Sequence, residues 1–272
     1  MLAAGFLEET MTDELLSKKD DGVLVLTMNR PDSMNALTPT MMGAQLDALT
    51  AAALDPEIGC VVMTGAGRAF CAGGDVKNMA SGGWREPMEV RAQALRRRME
   101  VARLLHEMPK PTIAMVNGVA AGAGMSIALA CDMRVVAKSA RMTTAFAKVG
   151  FSGDFAGHYF LHRMIGTARA RELYFTAEVL DSAKIDALGL ANRVVADDQL
   201  EAETMKLAHQ IANGPRVAWG YMKRNMKAAE EGTLSEVMDL EAFGMMRCAD
   251  TEDHKEAAKA FVEKRAPVFK GR

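Results

Sequence analysis

The chain has 272 residues, 49% of them hydrophobic and 25% charged, enough for one large α/β domain with a substantial core. Its formal net charge of −2 gives no general pull toward nucleic acid or an anionic membrane, although a local basic patch is compatible with it. The four cysteines, Cys60, Cys71, Cys131 and Cys248, lie far apart with no C-x-x-C pair, so they read as small buried hydrophobes rather than zinc ligands or disulfides.

Residues 1–21 read as an N-terminal extension, with Met11 as an alternative start. The segment lacks the basic opening of a secretory signal and soon turns acidic. No apolar run approaches the ~18 residues of a membrane span. A cytoplasmic location is expected.

"DGVLVLTMNRP" reads as a strand stopped by Pro31. "LTPTMMGAQLDALTAAALD" reads as a helix with Thr38 as N-cap and Pro39 in its first turn. "IGCVVMTGAG" is apolar nearly throughout, as in a strand covered on both faces. A glycine-containing break, "ASGGWREP", precedes "MEVRAQALRRRMEVARLLHEM". There Val90, Ala94, Met99, Ala102 and Leu105 fall at helical spacing, with the arginines on a solvated face. "KPTIAMVNG" and "MRVVAKS" are further strands. "LDSAKIDALGLANRVV" predicts a short helix capped by Asp181 or Ser182 and ended by Gly189. From residue 201 the pattern is almost wholly helical. Residues 22–200 thus form an α/β core of strand-turn-helix repeats, and residues 201–272 a helical C-terminal region.

Two glycine-rich turns, "FCAGGDVKNM" (Phe70–Met79) and "NGVAAGAGMSIALACD" (Asn117–Asp132), each follow a strand and precede a helix. Small residues there let backbone N–H groups approach a ligand at a helix N-terminus. Neither matches a phosphate-binding loop. Further on, "AFAKVGFSGDFAGHYFL" sets one carboxylate, Asp154, among small and apolar neighbours, where burial is costly. Asp154 either caps a helix beginning near Phe155 or serves chemistry, and the two roles are compatible.

In combination, "MNRPDSMNAL", "GAGRAFCAGGDVKNM", "KPTIAMVNGVAAGAG", "ALACDMRVVAKSARM" and "AFVEKRAPVFKGR" resemble the enoyl-CoA hydratase/isomerase (crotonase) family, from about Gly22 to Phe269. The resemblance implies a spiral of ββα units with C-terminal helices that build homotrimers, often paired as hexamers. It implies acyl-CoA thioester substrates, with CoA a part of the substrate, no separate cofactor and no metal. It implies an oxyanion hole of two backbone N–H groups, at Gly74 and Ala123, that holds the thioester oxygen as an enolate forms. The CoA path would be lined around Ser33, Asn35 and Ala36 and around Ala72, Gly73, Asp75 and Val76. Phe261 and Lys264 match positions that reach CoA on a neighbouring subunit; their alternative reading is a core aromatic and a surface lysine.

Hydratases of this family carry two glutamates, at positions where this chain has Ser126 and Phe146. Neither residue can activate water or deliver a proton in a glutamate's place. Hydration is therefore not expected. "AFAKVGFSGD" and "DFAGHYFL" instead resemble the Asp-dependent enoyl-CoA and ring-1,2-epoxyphenylacetyl-CoA isomerases. That likeness implies a Δ3 to Δ2 double-bond shift run by Asp154 alone. His158, four residues on, would orient the carboxylate, act as a second acid, or simply pack. Ser126 would face the reacting carbons or be an ordinary helix residue. Competing readings are a hydratase-type relative, a dehalogenase or hydrolase using Asp154, and a non-catalytic CoA- or RNA-binding scaffold. Near-neutral charge counts against RNA.

Overall fold

The computed structural model describes residues 12–75 and 86–272. Its organising element is a six-stranded sheet, ordered β1-β2-β3-β5-β7-β10, beside a four-stranded sheet ordered β4-β6-β8-β9. β1 (Leu15–Asp20) and β2 (Val23–Met28) form an antiparallel hairpin, and the rest of the larger sheet is parallel. β1 therefore lies inside the stretch read as an extension and is part of the sheet.

After α1 (Pro39–Leu54) one pattern repeats three times. β3 (Cys60–Gly65) in the larger sheet leads to β4 (Ala69–Cys71) in the smaller one, then to α2 (Met88–Arg98) and α3 (Glu100–Glu107). β5 (Thr112–Val116), β6 (Val119–Ala121) and α4 (Ala123–Ala130) follow. Next come β7 (Met133–Ala137), β8 (Arg141–Thr143), α5 (Gly157–Ile165) and α6 (Thr167–Thr176). The chain thus winds as a spiral of ββα units. β9 (Leu180–Asp181), α7 (Ser182–Ala187) and β10 (Arg193–Val195) close both sheets.

β3 and β5 are buried at every position, as their unbroken apolar runs require of parallel strands covered on both faces. α8 (Leu200–Ala212) provides one cover, packing on β3, β5 and β7 with Thr204, Ala208 and Ala212 buried. The helical region read as starting at 201 thus begins inside a helix of the core. Beyond it, α9 (Arg216–Glu231), α10 (Leu234–Ala249) and α11 (Glu252–Val262) pack mainly on other helices. α9 is moored by buried Lys223, whose Nζ donates to Leu105 O at 2.7 Å, Lys110 O at 3.0 Å and Asp132 Oδ2 at 2.7 Å.

Local signals hold where short-range chemistry decides. Thr38 Oγ1 accepts from Met41 N, and Asp181, not Ser182, caps α7 through Lys184 N. Gly189 ends α7 at φ +69°. The single helix expected over residues 88–108 is instead two, parted at Met99. Its apolar stripe is buried only from Val101 onward; Val90 is exposed. Three consecutive arginines at the end of α2 keep that helix in solvent. Cys60, Cys71 and Cys131 are buried free thiols, as expected, and Cys248 is half-buried. Among the described residues, no helix is long and apolar enough to cross a membrane.

Candidate active site

β4, β6 and β8 are parallel hydrogen-bonded neighbours, so their C-terminal ends release the chain on one edge of the smaller sheet. Open parallel sheets bind ligands at such ends. Three turns leave there: 72–75 after β4, 122–124 after β6, and the longer 144–156 after β8.

The first two turns touch so closely that only glycine fits. A Cβ on Gly73, at φ +93°, would stand 2.7 Å from Ala121 O and 3.5 Å from Ala123 N. A Cβ on Gly124 would stand 2.1 Å from Cys71 O. Gly122, at φ +53°, turns the chain sharply into α4, whose first residue is Ala123. The leading N–H groups of a helix have no carbonyl partner within it and favour developing negative charge. The turn bearing Gly74 is thereby set beside the turn bearing Ala123. Cys71 Sγ accepts from Gly73 N at 3.4 Å and steadies the same turn.

The stretches named for CoA lie side by side. Ala72 N donates to Met34 O at 2.9 Å and Leu37 N to Gly73 O at 2.8 Å. Ser33 is exposed at the end of a short 3-10 turn. Asn35 is fully buried. Its carboxamide donates to Ala66 O and Ala69 O and accepts from Arg30 N, so the side chain braces the loop and offers nothing to a ligand. Ala36 O accepts from Arg30, and the same guanidinium binds the Asp75 carboxylate at 3.2 Å. Val76 lies outside the described residues. Phe261 is 85% exposed at the end of α11, so it is no core aromatic of this chain, and Lys264 follows in a left-handed turn.

Asp154 does not cap a helix. α5 begins at Gly157 with Ala156 as N-cap, and no side chain bonds to its first N–H groups. Only the Asp154 main-chain oxygen takes part, accepting from Gly157 N. Asp154 is half-buried, with Oδ1 out of solvent and without a hydrogen-bond partner among the described residues, and burial pushes its pKa up to about 6. Its negative charge reaches the two neighbouring turns and helices. It raises the Cys71 thiol, already pushed to about 12 mainly by burial, and it adds to the burial that lifts the Tyr174 phenol.

Ser126 and Phe146, at the two family glutamate positions, line one cavity with Gly122, Met125, Thr144 and Tyr174. These residues close together around a narrow gap. Ser126 Oγ donates back to Gly122 O at 3.3 Å. Phe146 lies parallel to Tyr174 at 6.2 Å. His158 does not hold Asp154: its ring stacks on Tyr174 at 3.8 Å and packs against Gly153. Partial burial of the ring lowers its pKa from the usual histidine value. Tyr159 points elsewhere, donating to Glu230 and Glu231 on α9. Tyr174 is the component that sequence reasoning missed.

A spiral of ββα units with its chemistry gathered at one end of the smaller sheet is the crotonase architecture. The chain belongs to the enoyl-CoA hydratase/isomerase family, whose model matches residues 18–272. It is 34% identical to a 1,2-epoxyphenylacetyl-CoA isomerase of Escherichia coli K12, over 96% of this chain and all of that one. It is 33% identical to a crotonyl-CoA hydratase of Syntrophomonas wolfei, over 94% and 98%. The crystal structure of an enoyl-CoA hydratase from Polaromonas sp. JS666 superposes with a TM-score of 0.89 at 34% identity, covering 94% of this chain and 99% of that one.

Proposed function

We propose that this protein is an acyl-CoA isomerase that moves a double bond from the β,γ to the α,β position, with Asp154 as its only acid/base. The observation that carries this reading is the Asp154 carboxylate, its Oδ1 out of solvent and without a partner among the described residues and its pKa held near 6, while Ser126 and Phe146 stand where the family resemblance places glutamates. Hydration needs a water and groups to activate it; a 1,3 proton shift needs one base that becomes the acid.

At neutral pH Asp154 is mostly ionised. It takes the α-proton of the thioester, and the electron pair moves through the carbonyl to give a dienolate. The backbone N–H groups of Gly74 and Ala123 hold the oxygen as charge develops on it, each worth roughly 3–4 kcal/mol in comparable sites. Protonated Asp154 then returns the proton to the γ-carbon, and the double bond comes to rest between the α and β carbons. No atom is gained or lost. A pKa near 6 suits both halves, since the base is ionised before the first step and its acid is strong enough for the second.

CoA is assigned to the paired backbone stretches around Ser33–Ala36 and Ala72–Asp75. Self-association, with Phe261 and Lys264 meeting a neighbouring subunit, is supported by the exposed apolar side chains of α9 and α10: Met222, Met226, Met238, Phe243, Met245 and Met246. Turnover of a panel of β,γ- and α,β-enoyl-CoA thioesters by the purified protein tests the reading. Conversion of the β,γ series is the expected result. Formation of a 3-hydroxyacyl product from the α,β series contradicts it.

A further inference from the structure

The turn that presents Asp154 is strained. Gly153 has φ +120°, and Phe155 and Ala156 are both left-handed, at φ +48° and +56°. Non-glycine residues hold such backbone only where their surroundings over-determine it. Within the turn there is one hydrogen bond, Gly157 N to Asp154 O at 3.1 Å, and one anchor, the buried Phe155 ring. The remaining restraint comes from outside.

Both ends of the turn are pinned, and the pins meet at Tyr174. At the far end, Gly157 has no room for a side chain. A Cβ there would stand 2.6 Å from Tyr174 Oη and 2.3 Å from Ser126 Oγ. At the near end, the His158 ring lies over Gly153, where a Cβ would stand 2.3 Å from Cε1. That ring is stacked on Tyr174 at 3.8 Å and 14°. Phe146 backs the other side of the phenol ring at 6.2 Å and 4°. Tyr174 comes from α6, a different element from the turn, so the stack ties two helices together across the site.

We propose that Tyr174 is the positioning residue for Asp154: its stacked ring clamps the strained turn at both ends and keeps the carboxylate aimed into the cavity and shielded from solvent. The proposal rests on Asp154 being the acid/base of the site. The groups facing Asp154 are the Cys71 thiol from β4 and the Tyr174 phenol from α6, both raised by burial, with the exposed His158 ring beside it on α5. Among the described residues no cation offsets the carboxylate. Its protonation therefore reports how well the clamp excludes water.

The test follows the carboxyl directly. In protein labelled with carboxyl-¹³C aspartate, the Asp154 signal is assigned by its loss in Asp154→Asn and titrated without substrate. Tyr174→Phe keeps the stack on His158 but loses the hydroxyl set against Gly157, so its titration and exchange should fall between those of the parent and Tyr174→Leu. Tyr174→Leu should titrate at least one pH unit lower. Its α-proton exchange in heavy water should fall at least tenfold, with KM nearly unchanged. His158→Ala, at an exposed position, removes one pin without touching the core and should shift the titration in the same direction by less. A folded Tyr174→Leu with parent titration and parent exchange overturns the clamp. If Tyr174→Leu does not fold, an unshifted His158→Ala overturns it. The titration needs no turnover, so a lowered pKa in a protein whose Asp154→Asn variant still isomerises would uphold the clamp and refute only the assignment of Asp154 as the acid/base.

Discussion

The turn around Gly122–Gly124 and the turn around Gly153–Gly157 meet where Gly157 abuts Ser126 of α4, yet they are built on opposite terms. The first carries its chemistry in the backbone. Its side chains need only be absent or small, and its geometry is fixed by main chain against main chain, as Gly124 against Cys71 O shows. The second carries its chemistry in one side chain. Its backbone is strained, and what holds it is a set of rings from two helices. A backbone donor cannot be mutated away except by proline, whereas a carboxylate can be removed by one atom's exchange. On the proposed reading the family scaffold keeps its oxyanion turn while the acid/base sits at Asp154 rather than at the positions of Ser126 and Phe146.

The sharpest way to break this contrast is Asp154→Asn. Isomerase turnover should fall by roughly 10²- to 10⁴-fold, the range for loss of a general acid/base, with acyl-CoA affinity little changed. Deuterium exchange at the α-carbon should vanish in parallel. Parent-rate turnover would return Asp154 to a structural role.

Ala123→Pro tests the backbone turn on its own terms. Ala123 is the first residue of α4, a position that tolerates proline, so the variant loses an N–H while keeping the helix. Turnover should drop on the order of a hundredfold in folded protein. Steady-state kinetics showing no loss would mean that this N–H is not an oxyanion donor.

Stability distinguishes the turns next. The Asp154 pKa is raised from 3.8 to about 6 by folding, so its protonated form favours the native state below the lower value. That contribution is lost as pH rises through 6, and above it the buried charge opposes folding. Asp154→Asn should therefore be more stable than the parent at pH 8, by about 1–3 kcal/mol, and the gain should fade toward pH 4. Denaturant melts at the two pH values measure it. Because Asp154 makes no capping bond, no offsetting loss is expected.

Glycine substitutions give the smallest and most local effects. Gly124→Ala drives a methyl group into a carbonyl that cannot move, and should cost about 1–3 kcal/mol together with activity. Gly150→Ala, at φ +71° in open space beyond Phe146, should cost about 1 kcal/mol and leave turnover intact. Equal effects at the two positions would contradict the difference drawn between packed and unpacked turns.

What could be read from the sequence follows the range of the interactions involved. Thr38 and Asp181 announced their helices because capping is decided within three residues. The two glycine turns were legible because small residues between an apolar strand and a helix have few other uses. Asp154 stood out as a carboxylate in apolar company, but the same local view suggested a cap. Only the left-handed Phe155 and Ala156, which delay α5 to Gly157, remove that role. The break between α2 and α3 escaped notice because helical periodicity runs through Met99 unchanged; solvent, rather than spacing, decides where the stripe is buried. Tyr174 was invisible because its importance lies wholly in partners 16 to 48 positions away, Ser126, Phe146, Gly157 and His158, brought together by the packing of α5, α6 and α4.

On the proposed reading one carboxylate, Asp154, moves a proton and no water is added to the reacting carbons. Turnover of a β,γ-enoyl-CoA in ¹⁸O-labelled water, followed by mass spectrometry of the acyl product, tests it most directly. The account predicts an α,β-enoyl-CoA of unchanged oxygen content. A 3-hydroxyacyl-CoA carrying the heavy oxygen would contradict it.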